Sequence, residues 1–186
     1  MKITRFDLPG LLLIEPKRFG DARGWFAEVW QDARYREAGI AETFVQDNMA
    51  KSTKGVLRGL HAQEPHAQGK LVQVFQGRVF DVAVDLRVGS PTFGKWHGVI
   101  LDDHNALQFY VPPGFVHGYY VMSEQALFGY KTTDIYSPAT EFGVRWDDPG
   151  IGIEWPLEAE PVLSDKDRQA PLLCDIPETR MTRYQE

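Results

Sequence analysis

The longest near-alternation of apolar and polar positions runs from Lys70 to Asp85, reading Lys-Leu-Val-Gln-Val-Phe-Gln-Gly-Arg-Val-Phe-Asp-Val-Ala-Val-Asp. Successive side chains of an extended strand point to opposite faces, so a period of two is the signature of a strand. The stretch predicts two strands around a Gln76-Gly77 turn, with Val79, Asp81, Ala83 and Asp85 set against Phe80, Val82 and Val84. Five more runs fit strands: Trp96–Leu101, Gln108–Val111, Gly118–Met122, Ala126–Thr133 and Gly143–Arg145. Turns rich in Gly, Pro and Asp separate them, at the spacing of a sandwich or barrel. Helical periodicity is scarce: one helix over Asp32 to Ala38, capped at Gln31-Asp32, and one turn over Asp165 to Gln169. There is no internal repeat, low-complexity tract or linker, and the polar stretch after Pro171 reads as a loosely packed tail. The expected fold is all-β and mainly antiparallel: a single jelly-roll barrel domain over residues 1–186, with a few short helices and a polar tail at 171–186.

Composition narrows the classes. A chain of 186 residues, 43% hydrophobic and 25% charged, suits one globular domain that needs no disulfide or metal staple. A net charge of −6 argues against nucleic acid as partner, though local arginines still suit a small anion. The single cysteine, Cys174, excludes an intrachain disulfide and a Cys-based zinc site. There is no apolar run long enough to span a membrane and no basic-then-apolar leader, so the expected location is the cytoplasm.

Candidate chemistry lies in four polar stretches. In Gly55-Val-Leu-Arg-Gly-Leu-His61, a regular strand puts Arg58 on one face and Leu57, Gly59 and His61 on the other. Gly59 permits close approach of a ligand or a neighbouring backbone. His61 reads either as a packed histidine or as a general base, since imidazole titrates nearest neutrality. Pro112-Pro-Gly-Phe-Val-His117-Gly has the Pro-x-Gly-x-x-His spacing of the second cupin signature. The first signature is degraded: Gln63 stands where a second histidine would be, and Gln68 where the glutamate would be. Three or four converging ligands are needed for a divalent metal, so no metal is expected. His66, His97 and His104 read as solvated surface. Lys70 is either a surface lysine or a cation able to meet a developing enolate. Tyr130 shares a strand face with Thr132 and Asp134 and is either a barrel-lining tyrosine or a proton donor. Ser164-Asp165-Lys166-Asp167 reads as a helix N-cap, and a carboxylate there suits the fixing of an imidazole tautomer.

Taken in order, the chain resembles the dTDP-4-dehydrorhamnose 3,5-epimerases and related sugar-nucleotide epimerases over residues 3–172. The matching segments include Asp21-Ala-Arg-Gly-Trp-Phe-Ala-Glu28, Gln46-Asp-Asn48, Gly55–His61, Gln68-Gly-Lys-Leu-Val72, Phe80–Arg87, Pro112–Gly118, Tyr130-Lys131, Trp155-Pro156 and Leu163–Asp167. The resemblance implies a metal-free, cofactor-free isomerase acting on a dTDP-4-keto-6-deoxyhexose. It implies His61 as base, Asp167 as the carboxylate orienting it, Lys70 as the enolate-stabilising cation and Tyr130 as the opposite-face acid. Arg23, Glu28, Gln46, Asn48, Arg58, His117, Glu141 and Lys166 match nucleotide-sugar contacts, and Tyr136 matches an aromatic stacked on thymine. It also implies a homodimer through shared strands, which would cover sheet edges. Ala62 departs from the pattern, because relatives often carry an aromatic after the histidine. Inversion of one carbon, in place of both C3 and C5, therefore stays an alternative, and so does a nucleotide-binding jelly roll without chemistry.

Overall fold

The computed structural model describes residues 1–185. In chain order the strands are β1 (Lys2–Arg5), β2 (Leu12–Glu15), β3 (Arg18–Asp21), β4 (Gly24–Ala27) and β5 (Gln46–Thr53). Then come β6 (Leu57–Gln63), β7 (Lys70–Gln76), β8 (Arg78–Asp85) and β9 (Trp96–Asp102), followed by β10 (Gln108–Val111), β11 (Phe115–Val121), β12 (Gln125–Thr132) and β13 (Glu141–Gly143). Helix α1 spans Asp32–Glu37 and helix α2 spans Asp165–Arg168. All strand pairs are antiparallel, in a six-stranded sheet ordered β1-β2-β10-β7-β12-β5 and a five-stranded sheet ordered β13-β6-β11-β8-β9. Hairpin β3-β4 stands apart from both sheets. This is the jelly-roll arrangement expected of the all-β pattern.

The two strands around Gln76-Gly77 do not pair with each other. β7 lies between β10 and β12, whereas β8 lies between β11 and β9, so the chain crosses from one sheet to the other at Gly77. Gly77 sits at φ +84°, and a Cβ there would collide with the Gln125 carbonyl. Only glycine makes that crossing without strain.

Three apolar layers follow from the two sheets. Between them, Val72, Val74, Phe109 and Phe128 meet Val79, Ala83, Phe115 and Tyr119. Outside the five-stranded sheet, Leu60, Val82, Val84 and Val116 pack under Val144, Ile151 and Met181. Outside the six-stranded sheet, Leu12, Ile14, Leu71 and Tyr110 pack under Tyr35 and Ile40. A strand covered on both faces loses the apolar–polar alternation, which is why every residue of β11 is buried.

Several expectations shift at their edges. β11 begins three residues earlier than predicted, and the last strand lies at Glu141–Gly143 instead of Gly143–Arg145. Helix α1 is capped by the Gln31 side chain accepting from the Arg34 amide. His97 is not solvated surface: it lies on β9 and packs against Phe6, the two rings tilted with centroids 3.9 Å apart. Residues 172–185 are not loose. Met181 is buried, Arg180 donates to the Thr140 and Glu141 carbonyls, and Arg183 bridges to Val88.

Candidate active site

The ends of both sheets open around a cavity of about 780 Å³, within the range for small-ligand sites. β5 delivers Gln46, Asn48 and Ala50 to it by strict alternation. β12, paired to β5 with Tyr130 opposite Asn48, delivers Phe128 and Tyr130 on the same face. β6 contributes Arg58 and His61, β7 begins with Lys70, and β11 supplies His117 and Tyr119. Glu141 heads β13, Tyr136 sits in the preceding loop, and Lys166 and Asp167 lie on α2.

Arg58 and His61 border the same cavity, contrary to the opposite faces that regular alternation gives them. The β6–β11 register runs His117 to His61, then Tyr119 to Arg58. Three steps along β6 thus match two along β11, a bulge that turns one side chain to the other face. Gly59 makes the bulge possible: at φ +118°, its Cβ would lie 2.6 Å from the Gly118 Cα and 2.7 Å from the His117 carbonyl oxygen. The close approach that glycine allows is made here by a neighbouring backbone.

His61, Asp167, Lys70 and Tyr130, the four residues expected to react, all line this cavity. His61 Nε2 lies 2.5 Å from Asp167 Oδ1, and the carboxylate is itself buried. Burial alone would push the Asp167 carboxyl up. The bond to His61 outweighs this, aided by the Ser164 hydroxyl and the Gly59 amide, and holds the group below the usual carboxylate range. An ionised Asp167 accepting from Nε2–H leaves the other ring nitrogen with a lone pair. Lys70 Nζ donates to the His61 carbonyl at 3.2 Å. Burial brings the Lys70 ammonium down to about 8, against the opposing pull of Asp81 and Glu141. Burial pushes the Tyr130 phenol up, with Arg58 opposing and Glu141 adding to the rise, so it carries its proton at neutral pH.

The rest of the cavity wall is polar and knitted together. Arg58 Nε donates to Ser52 Oγ at 3.1 Å. Glu141 accepts from Lys166 at 2.6 Å and from the Tyr136 hydroxyl at 2.9 Å. Gln46 accepts from the Tyr136 amide and donates to Asn48 Oδ1. Gln63 and Gln68, at the two positions that carry ligands in metal-bearing cupins, donate to backbone carbonyls of Ile135 and Asp134 and so pin the Tyr136 loop. His61 and His117 are register neighbours, yet each Nε2 meets its own carboxylate, Asp167 for one and Asp81 at 2.8 Å for the other.

Two predicted contacts lie elsewhere. Arg23 is at the tip of the β3-β4 hairpin, paired with Asp21 and exposed. Glu28 follows that hairpin and is held by Arg34 at 2.8 Å. Neither borders this chain's cavity. In the other direction, sequence reasoning passed over Tyr119, a cavity wall residue, and Asp81, which reaches the cavity region through His117. The signal for Asp81 was present: a carboxylate set between Val79 and Ala83 on one face of an apolar strand.

The profile of the family described as dTDP-4-dehydrorhamnose 3,5-epimerase matches residues 5–175. The chain is 52% identical over 176 residues to the dTDP-4-dehydrorhamnose 3,5-epimerase of Pseudomonas aeruginosa, covering 94% of this chain and 97% of that one. It is 54% identical over 169 residues to the enzyme of that name from Shigella flexneri, covering 90% and 93%. The crystal structure of a dTDP-6-deoxy-D-glucose-3,5-epimerase from Legionella pneumophila, in complex with dTDP-4-keto-L-rhamnose, superposes with a TM-score of 0.97 at 52% identity, covering 100% and 99%.

Proposed function

Because the chain belongs to the dTDP-4-dehydrorhamnose 3,5-epimerase family, we propose that it inverts C3 and C5 of dTDP-4-dehydro-6-deoxy-D-glucose to give dTDP-4-dehydro-L-rhamnose. Both carbons flank the C4 ketone, so each carries an acidified α-proton. In this reading His61, oriented by Asp167, takes that proton. The electron pair moves onto the C4 oxygen, and the resulting enolate is met by the Lys70 ammonium. Tyr130 returns a proton to the carbon from the opposite face, and the phenolate and imidazolium then exchange with solvent. The observation that carries the reading is the His61–Asp167 pair sharing one cavity with a buried lysine and a protonated tyrosine.

The remaining wall suits a nucleoside diphosphate. Arg58 and Lys166 offer a guanidinium fork and a point charge for phosphates, despite the net charge of −6. Gln46, Asn48, His117 and Glu141 supply sugar and nucleotide contacts, and Tyr136 a ring to stack on the thymine. Arg23 and Glu28 join the site when a second copy brings its hairpin to it, so the working form is a homodimer. The reading places the enzyme in the cytoplasm.

Every inversion by this route exchanges a carbon-bound hydrogen with water. Incubating dTDP-4-keto-6-deoxy-D-glucose with the protein in D₂O is therefore expected to place deuterium at both C3 and C5. Label at one carbon alone would mark a single-carbon epimerase. Label at neither would remove the enolate route and leave a binding jelly roll.

A further inference from the structure

Beside the reactive group lies a second imidazole–carboxylate pair, His117 with Asp81, that moves no proton in the reaction above. Asp81, on β8, is fully buried and accepts from His117 Nε2 through Oδ1. Its Oδ2 is buried with no hydrogen-bond partner among the described residues. A buried carboxylate oxygen without a donor costs stability unless a nearby charge answers it. Burial pushes the Asp81 carboxyl up, and His117 and then Lys70 oppose that rise, so Lys70 is such a charge. Its ammonium is buried, and among the described residues its one hydrogen bond goes to a neutral carbonyl, that of His61. The other carboxylate acting on it, Glu141, is already engaged by Lys166 and the Tyr136 hydroxyl.

We propose that Asp81 is a positioning residue for Lys70: its carboxylate, anchored by His117, keeps the ammonium charged at the place where the C4 oxygen becomes an enolate. The inference rests on the reading of Lys70 as the enolate-stabilising cation. It explains why an apolar strand face running through Val79 and Ala83 spends a core position on a carboxylate. Without a counter-charge, burial would strip the proton from a lysine near neutrality, and a neutral amine stabilises an enolate far less.

The groups acting on the Lys70 ammonium come from several elements. Asp81 on β8 and Glu141 on β13 favour the charged form, and Lys166 on α2 disfavours it. His61 on β6, His117 on β11 and Tyr130 on β12 share the cavity. Removing the Asp81 charge lowers the pH at which Lys70 gives up its proton. The alkaline limb of turnover then moves to lower pH.

The test compares wild type, Asp81→Asn, Lys70→Met and the double variant by the pH profile of kcat, followed as deuterium uptake into dTDP-4-keto-6-deoxy-D-glucose. Asp81→Ser serves alongside as a smaller, uncharged replacement with room for water. Asp81→Asn and Asp81→Ser are expected to shift the alkaline limb down by about one pH unit or more, a roughly tenfold loss of turnover on that limb. Affinity for dTDP, measured by calorimetry, stays close to wild type. In the Lys70→Met background, Asp81→Asn adds no further loss, because it acts through the lysine. A limb that stays in place in both variants, or losses that multiply in the double variant, would overturn the proposal while leaving the epimerase reading intact. No deuterium uptake by wild type would overturn the epimerase reading and this inference with it.

Discussion

His61 and His117 sit opposite one another on paired strands, yet their surroundings differ. His61 keeps about a quarter of its side chain open to the cavity (28%), whereas His117 is almost closed off at 8%. A base must reach a carbon-bound proton, so the proposed reaction gives that role to the open imidazole. His61→Ala is expected to lower kcat by about 10³-fold or more, within the range for removing a general base, with dTDP affinity by calorimetry near wild type. Turnover within tenfold of wild type would remove His61 from that role. Asp167→Asn is expected to cost less, since it disturbs the tautomer and orientation but leaves the ring in place. Lys70 gives a separate signature. Its proton is lost as pH rises through about 8, well below the ordinary lysine value, because burial disfavours the charge. Activity that needs the cation is full below that pH and falls above it, so kcat is expected to decline on the alkaline side near 8. In Lys70→Arg the guanidinium does not titrate in this range, so whatever activity survives should lose that limb. Persistence of the same limb in Lys70→Arg would assign it to another group.

The elements that sequence made legible are those whose side chains answer one environment per face. β7, β8, β9, β10 and β12 appear where apolar residues line the space between the sheets. β5 escaped notice for the opposite reason. Its inward positions, Gln46 and Asn48, face the cavity and not the core, so Gln-Asp-Asn-Met-Ala-Lys-Ser-Thr carries no apolar stripe. β3 and β4 have no core face at all. The proposed reactive residues were legible mainly through resemblance to a family, since local pattern alone left His61, Lys70 and Tyr130 with two readings each. What the sequence hid was the bulge in β6, which depends on contact with β11 across the sheet. That contact yields a prediction for the element. Gly59→Ala introduces a Cβ into the Gly118 and His117 backbone at a φ that L residues avoid. Expected destabilisation is about 2 kcal/mol or more, read as a fall in Tm of several degrees. A variant with wild-type Tm and turnover would show that β6 can shift without the bulge.

At the scale of the whole molecule, the β3-β4 hairpin is the part that makes little sense in one copy. A two-stranded ribbon alone is marginal in water. This one also exposes Phe19, Trp25 and Phe26 at 55%, 57% and 68%. Its attachment to the rest of the chain includes a hydrogen bond from Arg18 to the His104 carbonyl. Phe19 and Phe26 pair on one face of the ribbon, and such exposed aromatics mark a surface that another surface covers. The hairpin also carries Arg23, with Glu28 just beyond it, the two family contact positions that do not border this chain's cavity. A second copy whose hairpin reaches across accounts for both facts, burying the aromatics and completing a neighbour's site. A complementation experiment tests this directly. His61→Ala disables a subunit's own cavity but leaves its hairpin intact, and Arg23→Ala does the reverse. If the hairpin serves the partner, a mixed dimer contains one cavity with His61 intact and a wild-type Arg23 delivered to it. Each variant alone should be weak in deuterium incorporation, and unfolding and refolding the two together should restore roughly a quarter of wild-type activity by random pairing in a two-fold dimer. If Arg23 acts within its own chain, the mixture holds no complete site, and its activity stays at the mean of the two variants.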